Sequence, residues 1–436
     1  MSRSARKLRA VSLILVAVLV FTALFNVVYI GGSKSVVAPN VPITSASSTN
    51  GFVKSDLDFS SLREQYINQE IVQQNIASFE GDRWIIVELE GDTLYDKYAR
   101  STRYNDFSTY SLSAEGQKAQ ANIKAEHTSF LKAVERHGID YQIKYTYTTI
   151  ANALAMKVNA DGYNAIRKMS GVVDAYYVDY YGVPEITASS NVVSNNANVY
   201  TTGIYNTEGI TEKGEGMVVA ILDTGLDHTH AAFQDMPDEK TVKFSKDYIQ
   251  NIVNNGSSQA QLVSPYNKLM AKGTADDFYY NEKVPFAYDY ADDDANVYPA
   301  YSNHGTHVAG IVAGKSDYVV GTNSDGSDET FLGVAPEAQL MICKVFTDDF
   351  ESEALGGANT MSILAALNDC VVLGVDVINM SLGTSAGFSQ ERGDSAQTQF
   401  LNAVYDNIEN LGISLVVAAS NDYSSGFGGG NDTNLA

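Results

Sequence analysis

Cysteine is nearly absent from this 436-residue chain. The two present are too few for a disulfide scaffold and lack zinc-ligand spacing, so the fold must stand on its apolar core. Proline is scarce, at eight residues beside 34 glycines, which excludes collagen-like and PxxP-rich readings. Basic side chains are also few, 29 against 52 acidic ones, for a formal charge of −23. That balance argues against nucleic acid as a partner, because phosphate binding needs a basic surface. It equally disfavours anionic membrane surfaces, and it suits an exported protein able to bind divalent cations. What the chain does have is 44% hydrophobic residues, enough for a packed core and too many for a mainly disordered chain. Its length fits two or three folded units of roughly 100–200 residues each, plus linkers.

Arg3, Arg6, Lys7 and Arg9 precede an uncharged apolar run of 21 residues, Ala10 to Ile30. Roughly 20 apolar residues span a bilayer, and a basic head marks the cytoplasmic side. Residues 1–32 therefore read as a signal peptide or a retained membrane anchor, with both alternatives open. All that follows is expected outside the cytoplasm, secreted or at the cell envelope, with membrane contact only through this segment. Residues 33–81, rich in Ser, Thr, Asn and Gln, read as a linker.

Residues 82–182 carry the pattern of a small α/β unit. Trp84 to Leu89 reads as a strand. Ile123, Phe130, Leu131 and Val134 fall near helical spacing, stopped at His137-Gly138. Tyr141 to Thr148 alternates, with Ile143, Tyr145 and Tyr147 expected on one face, and Leu154, Met156 and Val158 alternate in the next strand. Asn159 is placed to cap a short helix carrying Tyr163, Ile166 and Met169, ended by Gly171, before a last strand from Val173 to Tyr180. The order β-α-β-β-α-β is the ferredoxin-like pattern, which carries no function by itself. His127 and His137 are expected to be solvated helix residues. Residues 183–212 read as a second linker.

The residues able to do chemistry lie from 213 on. Met217 to Leu222 is an unbroken apolar run, as in a strand buried on both faces of a parallel sheet. It ends in Asp223-Thr224-Gly225, and a carboxylate there faces the crevice where α/β proteins bind ligands. A plain turn after the strand is the bland alternative. An aspartic-protease reading of DTG fails, since Leu226 follows and no second DTG exists. In Asn303 to Gly310 (NHGTHVAG), glycines and small residues suggest a tightly packed helix start with His304 as a general base. His304 and His307 as metal ligands lack an evident third. Further strands are read at Leu340 to Phe346, Val375 to Met380 and Ile413 to Ala419, with a helix at Thr360 to Leu373. This is the rhythm of a doubly wound sheet. Phe286 to Asn296 (FAYDYADDDAN) reads as a solvated acidic loop, or one that selects basic substrates or cations. Cys343 and Cys370 read as buried free thiols.

ILDTG, NHGTHVAG, LGVAPEAQL, INMSLG and VVAASND, in this order over about residues 215–424, resemble the subtilisin-like serine proteases. The unit before them, above all the stretch ALAMKVNADGYNAIRKMSGVVDAYYV, is similar to the inhibitor-I9-type propeptide of that family. The long intervals resemble those of Gram-positive cell-envelope proteases, the lactocepin and C5a-peptidase group. The resemblance implies an α/β, doubly wound, mostly parallel sheet preceded by a ferredoxin-like α+β propeptide that acts as folding aid and intramolecular inhibitor, released by cleavage within 183–212. It implies that Asp223 and His304 belong to an Asp/His/Ser triad and that Asn421 completes an oxyanion hole. Ser381, Leu382 and Gly383 then pair with the substrate backbone, and His307 is structural. Protein or peptide substrates are the implied partners.

The nucleophilic serine of such a triad follows the asparagine in a GTS-x-(A/S)-x-P stretch, which is not found by residue 436. Ser385, in Gly383-Thr384-Ser385-Ala386, lacks the downstream proline and precedes Asn421, so it fits poorly. The expectation is a catalytic domain over 213–436 that is cut short, inactive alone, with its serine beyond residue 436. Ser420 also stands where a glycine is common. No cofactor is required. A structural calcium ion on Asn323, Asp325 and Asp328 is an expectation beside the plain reading of that segment as a turn. A catalytically dead binding relative and a structural envelope protein are the competing readings.

Overall fold

The computed structural model describes residues 81–181, 211–254, 275–322, 326, 328–348, 357–382 and 396–418. The N-terminal apolar run, the linker at 183–210, Asn323, Asp325, Gly383, Ser385 and Asn421 lie outside them. Among the described residues no helix is long and apolar enough to cross a membrane.

The first unit holds β1 (Arg83–Leu89), α1 (Leu94–Ala99), α2 (Phe107–Leu112), α3 (Ala114–Arg136), β2 (Gln142–Tyr147), β3 (Ala153–Val158), α4 (Ala160–Ile166) and β4 (Val172–Tyr177). The strands form an antiparallel sheet in the order β2-β3-β1-β4, the ferredoxin-like order expected. Ser113 caps α3 and Asn159 caps α4, each side-chain oxygen accepting a backbone N–H of the first turn. Ile85, Val87, Leu154, Met156 and Val158 line one sheet face, packed against Phe130 and Val134 of α3 and Ile166 of α4.

Two expectations are corrected here. A β-bulge at Lys144 shifts the β2 register, so Ile143 opposes Met156 while Tyr145 opposes Ala155. Ile143 therefore packs toward the helices, and Tyr145 and Tyr147 turn to the opposite face. His127 is buried, not solvated: it lies between Ile123 and Phe130 on the inner face of α3, its Nε2 2.7 Å from Asn152 Oδ1. Burial pushes its pKa down. His137 is exposed, as expected.

The second unit holds β6 (Val218–Asp223), β7 (Phe286–Asp289), β10 (Gln339–Lys344), β12 (Val377–Met380) and β13 (Ser414–Val417). These strands form a parallel sheet in the order β13-β12-β6-β10-β7. Alternate residues of the apolar runs serve two cores. Val219, Ile221, Leu340 and Ile342 meet Val308, Ala309 and Val312 of α6 (His304–Ala313) on one face. Ala220, Leu222, Met341 and Ile378 meet α5 (Lys246–Asn254), α7 (Thr360–Leu373) and α8 (Ala396–Asn410) on the other. Helices thus cover both faces, and the connections leaving the neighbouring strands β6 and β12 run toward opposite edges of the sheet. The crevice of such a sheet opens at the carboxyl ends of those strands, where Asp223 lies.

The acidic segment is not a solvated loop. Phe286 to Tyr290 are buried, forming edge strand β7 and the start of its turn. Phe286 and Tyr288 fill one core and Ala287 the other. Asp289 accepts the amides of Ala291 and Asp292 at 2.9 and 3.0 Å. Charge density concealed a strand only four residues long.

Every residue of α7 is buried. One side lies on the parallel sheet and the other under the antiparallel sheet of the first unit. Tyr147 Oη donates to Met361 O at 2.9 Å, Tyr145 Oη to Tyr290 O, and Lys144 Nζ to Ala291 O at 2.6 Å. The first unit ends in β5 (Tyr180–Tyr181), which pairs antiparallel with β11 (Ala358–Asn359). Cys343 and Cys370 are free and buried, with their sulfurs 3.9 Å apart.

Asn359 joins these parts: it lies in β11, is 1% exposed, and its Oδ1 accepts Ser362 N at 3.0 Å to cap α7. Asn359→Ala is expected to destabilise the protein by about 1–2 kcal/mol in urea unfolding, and Asn359→Asp to retain most of that stability.

Candidate active site

Asp223 is the last residue of β6 and is 1% exposed. Its Oδ1 accepts Thr224 N at 2.7 Å. His304, the first residue of α6, brings Nδ1 to 2.8 Å from Asp223 Oδ1 and 3.0 Å from Oδ2. A carboxylate only accepts, so this geometry places the proton of neutral His304 on Nδ1. Nε2 is then the basic nitrogen, on a side chain 18% exposed. Among the described residues no hydroxyl is hydrogen-bonded to it.

Two backbones must nearly touch for this pair to form. Gly225 has φ +108°, in the left-handed region, and a Cβ there would stand 2.3 Å from Val297 O. A Cβ on Gly305 would stand 2.3 Å from Gly225 O. Thr224 locks the contact: its Oγ1 donates to Ser302 O at 2.7 Å and accepts Gly305 N at 2.9 Å. That second bond satisfies a free N–H at the start of α6 from a different strand. Thr306 Oγ1 accepts Asp227 N at 2.8 Å and Val297 O accepts Leu226 N at 2.8 Å, closing the turn on both sides.

The other expected residues divide. Ser381 follows β12 two positions after Asn379, which pairs with Ile221, so it stands level with Asp223. Its Oγ accepts Asn379 Nδ2 at 3.0 Å, and Leu382 is buried. His307 is exposed one turn along α6. Asp328 opens β9 (Asp328–Leu332), which forms a hairpin with β8 (Lys315–Thr322). Gly383, Asn421, Asn323 and Asp325 lie outside the described residues, so the oxyanion and calcium expectations extend beyond what is described.

The sequence reading missed Lys344, which ends β10 beside Asp223 and is fully buried. Its ammonium contacts Asp289 and lies 3.2 Å from Asp348 and 3.5 Å from Asp292. Burial works against that charge, but Asp289, Asp348 and Asp292 together outweigh it and the Lys344 pKa is raised. Burial pushes Asp289 up to about 7 against the pull of Lys344. Asp289, Asp292 and Asp348 have the mutual spacing of metal ligands. They do not fit an added cation, because the ammonium already stands among them. A lone lysine within the apolar run LMICKVF was the readable signal.

Gly305→Ala is expected to separate helix from strand, because backbone rather than a flexible side chain opposes the new methyl. A loss of about 1–3 kcal/mol in stability and of the low-field His304 Nδ1 proton resonance should accompany it.

Residues 214–435 match the Subtilase family of peptidases. The PII-type proteinase of Lactococcus lactis subsp. cremoris is 29% identical over 322 residues, 73% of this chain and 14% of that protein. The C5a peptidase of Streptococcus pyogenes is 30% identical over 221 residues, 50% of this chain and 16% of that protein. The chain thus spans about one-seventh of the length of the curated proteinase it matches over most of its residues. Among solved structures, the epidermin leader peptide processing serine protease from Staphylococcus aureus aligns at TM-score 0.43 and 14% identity, over 79% of this chain and 61% of that one. With the family matched across half its length and with an α/β sheet of parallel strands beneath the matched motifs, the chain belongs to the subtilase family of serine proteases.

Proposed function

We propose that this chain is the N-terminal part of a secreted or cell-envelope serine endopeptidase precursor. Asp223 holds the His304 imidazole in the Nδ1–H tautomer and stabilises its cation. His304 Nε2 takes the proton of a serine hydroxyl as that oxygen attacks the scissile carbonyl, then delivers it to the leaving amine. Asn421 donates to the developing oxyanion, a type of contact whose loss costs about 10²–10³ in turnover. Ser381, Leu382 and Gly383 pair with the substrate backbone. The serine is assigned to sequence following residue 436, an assignment supported by the order of the motifs and by the greater length of the relatives. The observation that carries this reading is the double approach of His304 Nδ1 to a buried carboxylate, which leaves Nε2 as the basic nitrogen.

The first unit, residues 82–182, is assigned the role of inhibitory propeptide. Support comes from its last strand: Tyr180–Tyr181 pairs by backbone with β11, which is itself bridged to Phe346 just beyond β10. Cleavage within 183–212 would release it. Chemistry needs no cofactor, and a structural calcium ion remains assigned to Asn323, Asp325 and Asp328. Proteins or peptides are the substrates and nucleic acid is not a partner.

The test is peptide hydrolysis by the protein extended through the sequence encoded after residue 436. Asp223→Asn and His304→Ala are each expected to lower kcat by about 10⁴ or more with little change in KM. Activity that survives both substitutions would overturn the assignment. So would hydrolysis by the 436-residue chain alone that Ser385→Ala abolishes.

A further inference from the structure

Three neighbouring strands end in one charged side chain each: Asp223 on β6, Lys344 on β10 and Asp289 on β7. The parallel registers pair Lys344 with Asp223 on one side and with Asp289 on the other. Register partners in a parallel sheet present their side chains to the same face. Ile221, Ile342 and Ala287, each two residues earlier, all lie in the core under α6, so the three charges share that face. They form a row, minus, plus, minus, across the mouth of the sheet, with His304 against its first member.

Lys344 also touches the Asp223 turn directly. A Cβ on Gly225 would lie 3.0 Å from Lys344 Cδ, so the lysine stem backs that turn. Val345 N donates to Asp223 O at 2.9 Å, and Tyr290 N donates to Lys344 O at 2.7 Å. On the far side Asp292 accepts Asp348 N at 2.9 Å and the Thr347 hydroxyl, which ties the acidic turn to the segment after β10. The ammonium is therefore fixed at both ends of its side chain and is fully buried. The mechanism above gives it no part.

We infer that Lys344 is a positioning residue for the Asp223–His304 pair: its buried ammonium, anchored on Asp289, offsets the field of the Asp223 carboxylate, and its stem holds the turn that aims that carboxylate at Nδ1. The inference rests on the reading of His304 as the base. Without the cation, Asp223 and Asp289 would face the same buried end of the sheet with nothing between them, and the field at His304 would favour its protonated form more strongly. The titratable groups around His304 are Asp223, His307 on its own helix, and Asp227, whose amide is held by Thr306. Beyond Asp223 stand Lys344 and its partners Asp289, Asp292 and Asp348.

The test uses the intact chain with labelled histidine, and it needs no turnover. The His304 ring resonance is identified by its absence in His304→Gln and followed against pH. In Lys344→Met its titration midpoint should move up by about one unit. Lys344→Arg should return most of that shift. Should Lys344→Met leave too many unpaired carboxylates to fold, Lys344→Met combined with Asp289→Asn removes both charges, and the midpoint should still rise, by less. A folded variant lacking Lys344 whose midpoint matches wild type overturns the inference. Asp223→Asn separates this from the underlying reading. If it moves the midpoint down while loss of Lys344 does nothing, the pair stands and Lys344 is only structural. If Asp223→Asn also has no effect, the pair itself is wrongly assigned.

Discussion

The contact between the Gly225 carbonyl and Gly305, where no Cβ fits, is the constraint on which the site depends. It lets the start of a helix lie against the end of the central strand, so that a buried aspartate and a part-buried histidine meet at 2.8 and 3.0 Å. Thr224 converts that proximity into fixed bonds by serving both strand turn and helix start. The surrounding sheet supplies the rest. The connections from β6 and β12 leave in opposite directions, which opens a crevice at their carboxyl ends, and parallel registers bring Ser381 and Lys344 to the same level as Asp223.

Helix α7 connects this site to the first unit. A helix buried on all sides needs two partners, and it finds the parallel sheet beneath and the ferredoxin-like sheet above. The bulge at Lys144 turns Tyr145 and Tyr147 toward that second contact, where their hydroxyls donate to the backbone carbonyls of Tyr290 and Met361. Docking is thus both apolar and specifically hydrogen-bonded. It ends in the pairing of β5 with β11, one connection removed from the strand that carries Lys344.

Much of this was legible in the residues. Continuous apolar runs such as Met217 to Leu222 gave β6 and β10 to within about two residues, and Thr360 to Leu373 matched α7 at both ends, where Asn359 caps it and Gly374 turns left-handed. Asp223 and His304 stood out by their places after a strand and at a glycine-rich helix start. What escaped were features that pairing decides. The bulge inverts the face of Ile143 without changing the alternation of residue types. His127 occupies an inward helical position, where it meets Asn152, 25 positions away and just before β3. The short strand β7 hides among aspartates whose charge is answered by Lys344, 52 to 55 positions away.

The central claim is that Asp223 and His304 exist to activate a serine that follows Asn421. The most direct measurement is covalent labelling with a fluorophosphonate, followed by peptide mapping, on the protein extended through the sequence after residue 436. The account predicts one adduct, on a serine C-terminal to Asn421, abolished by His304→Ala. An adduct on Ser385, or none in a folded protein, would contradict it.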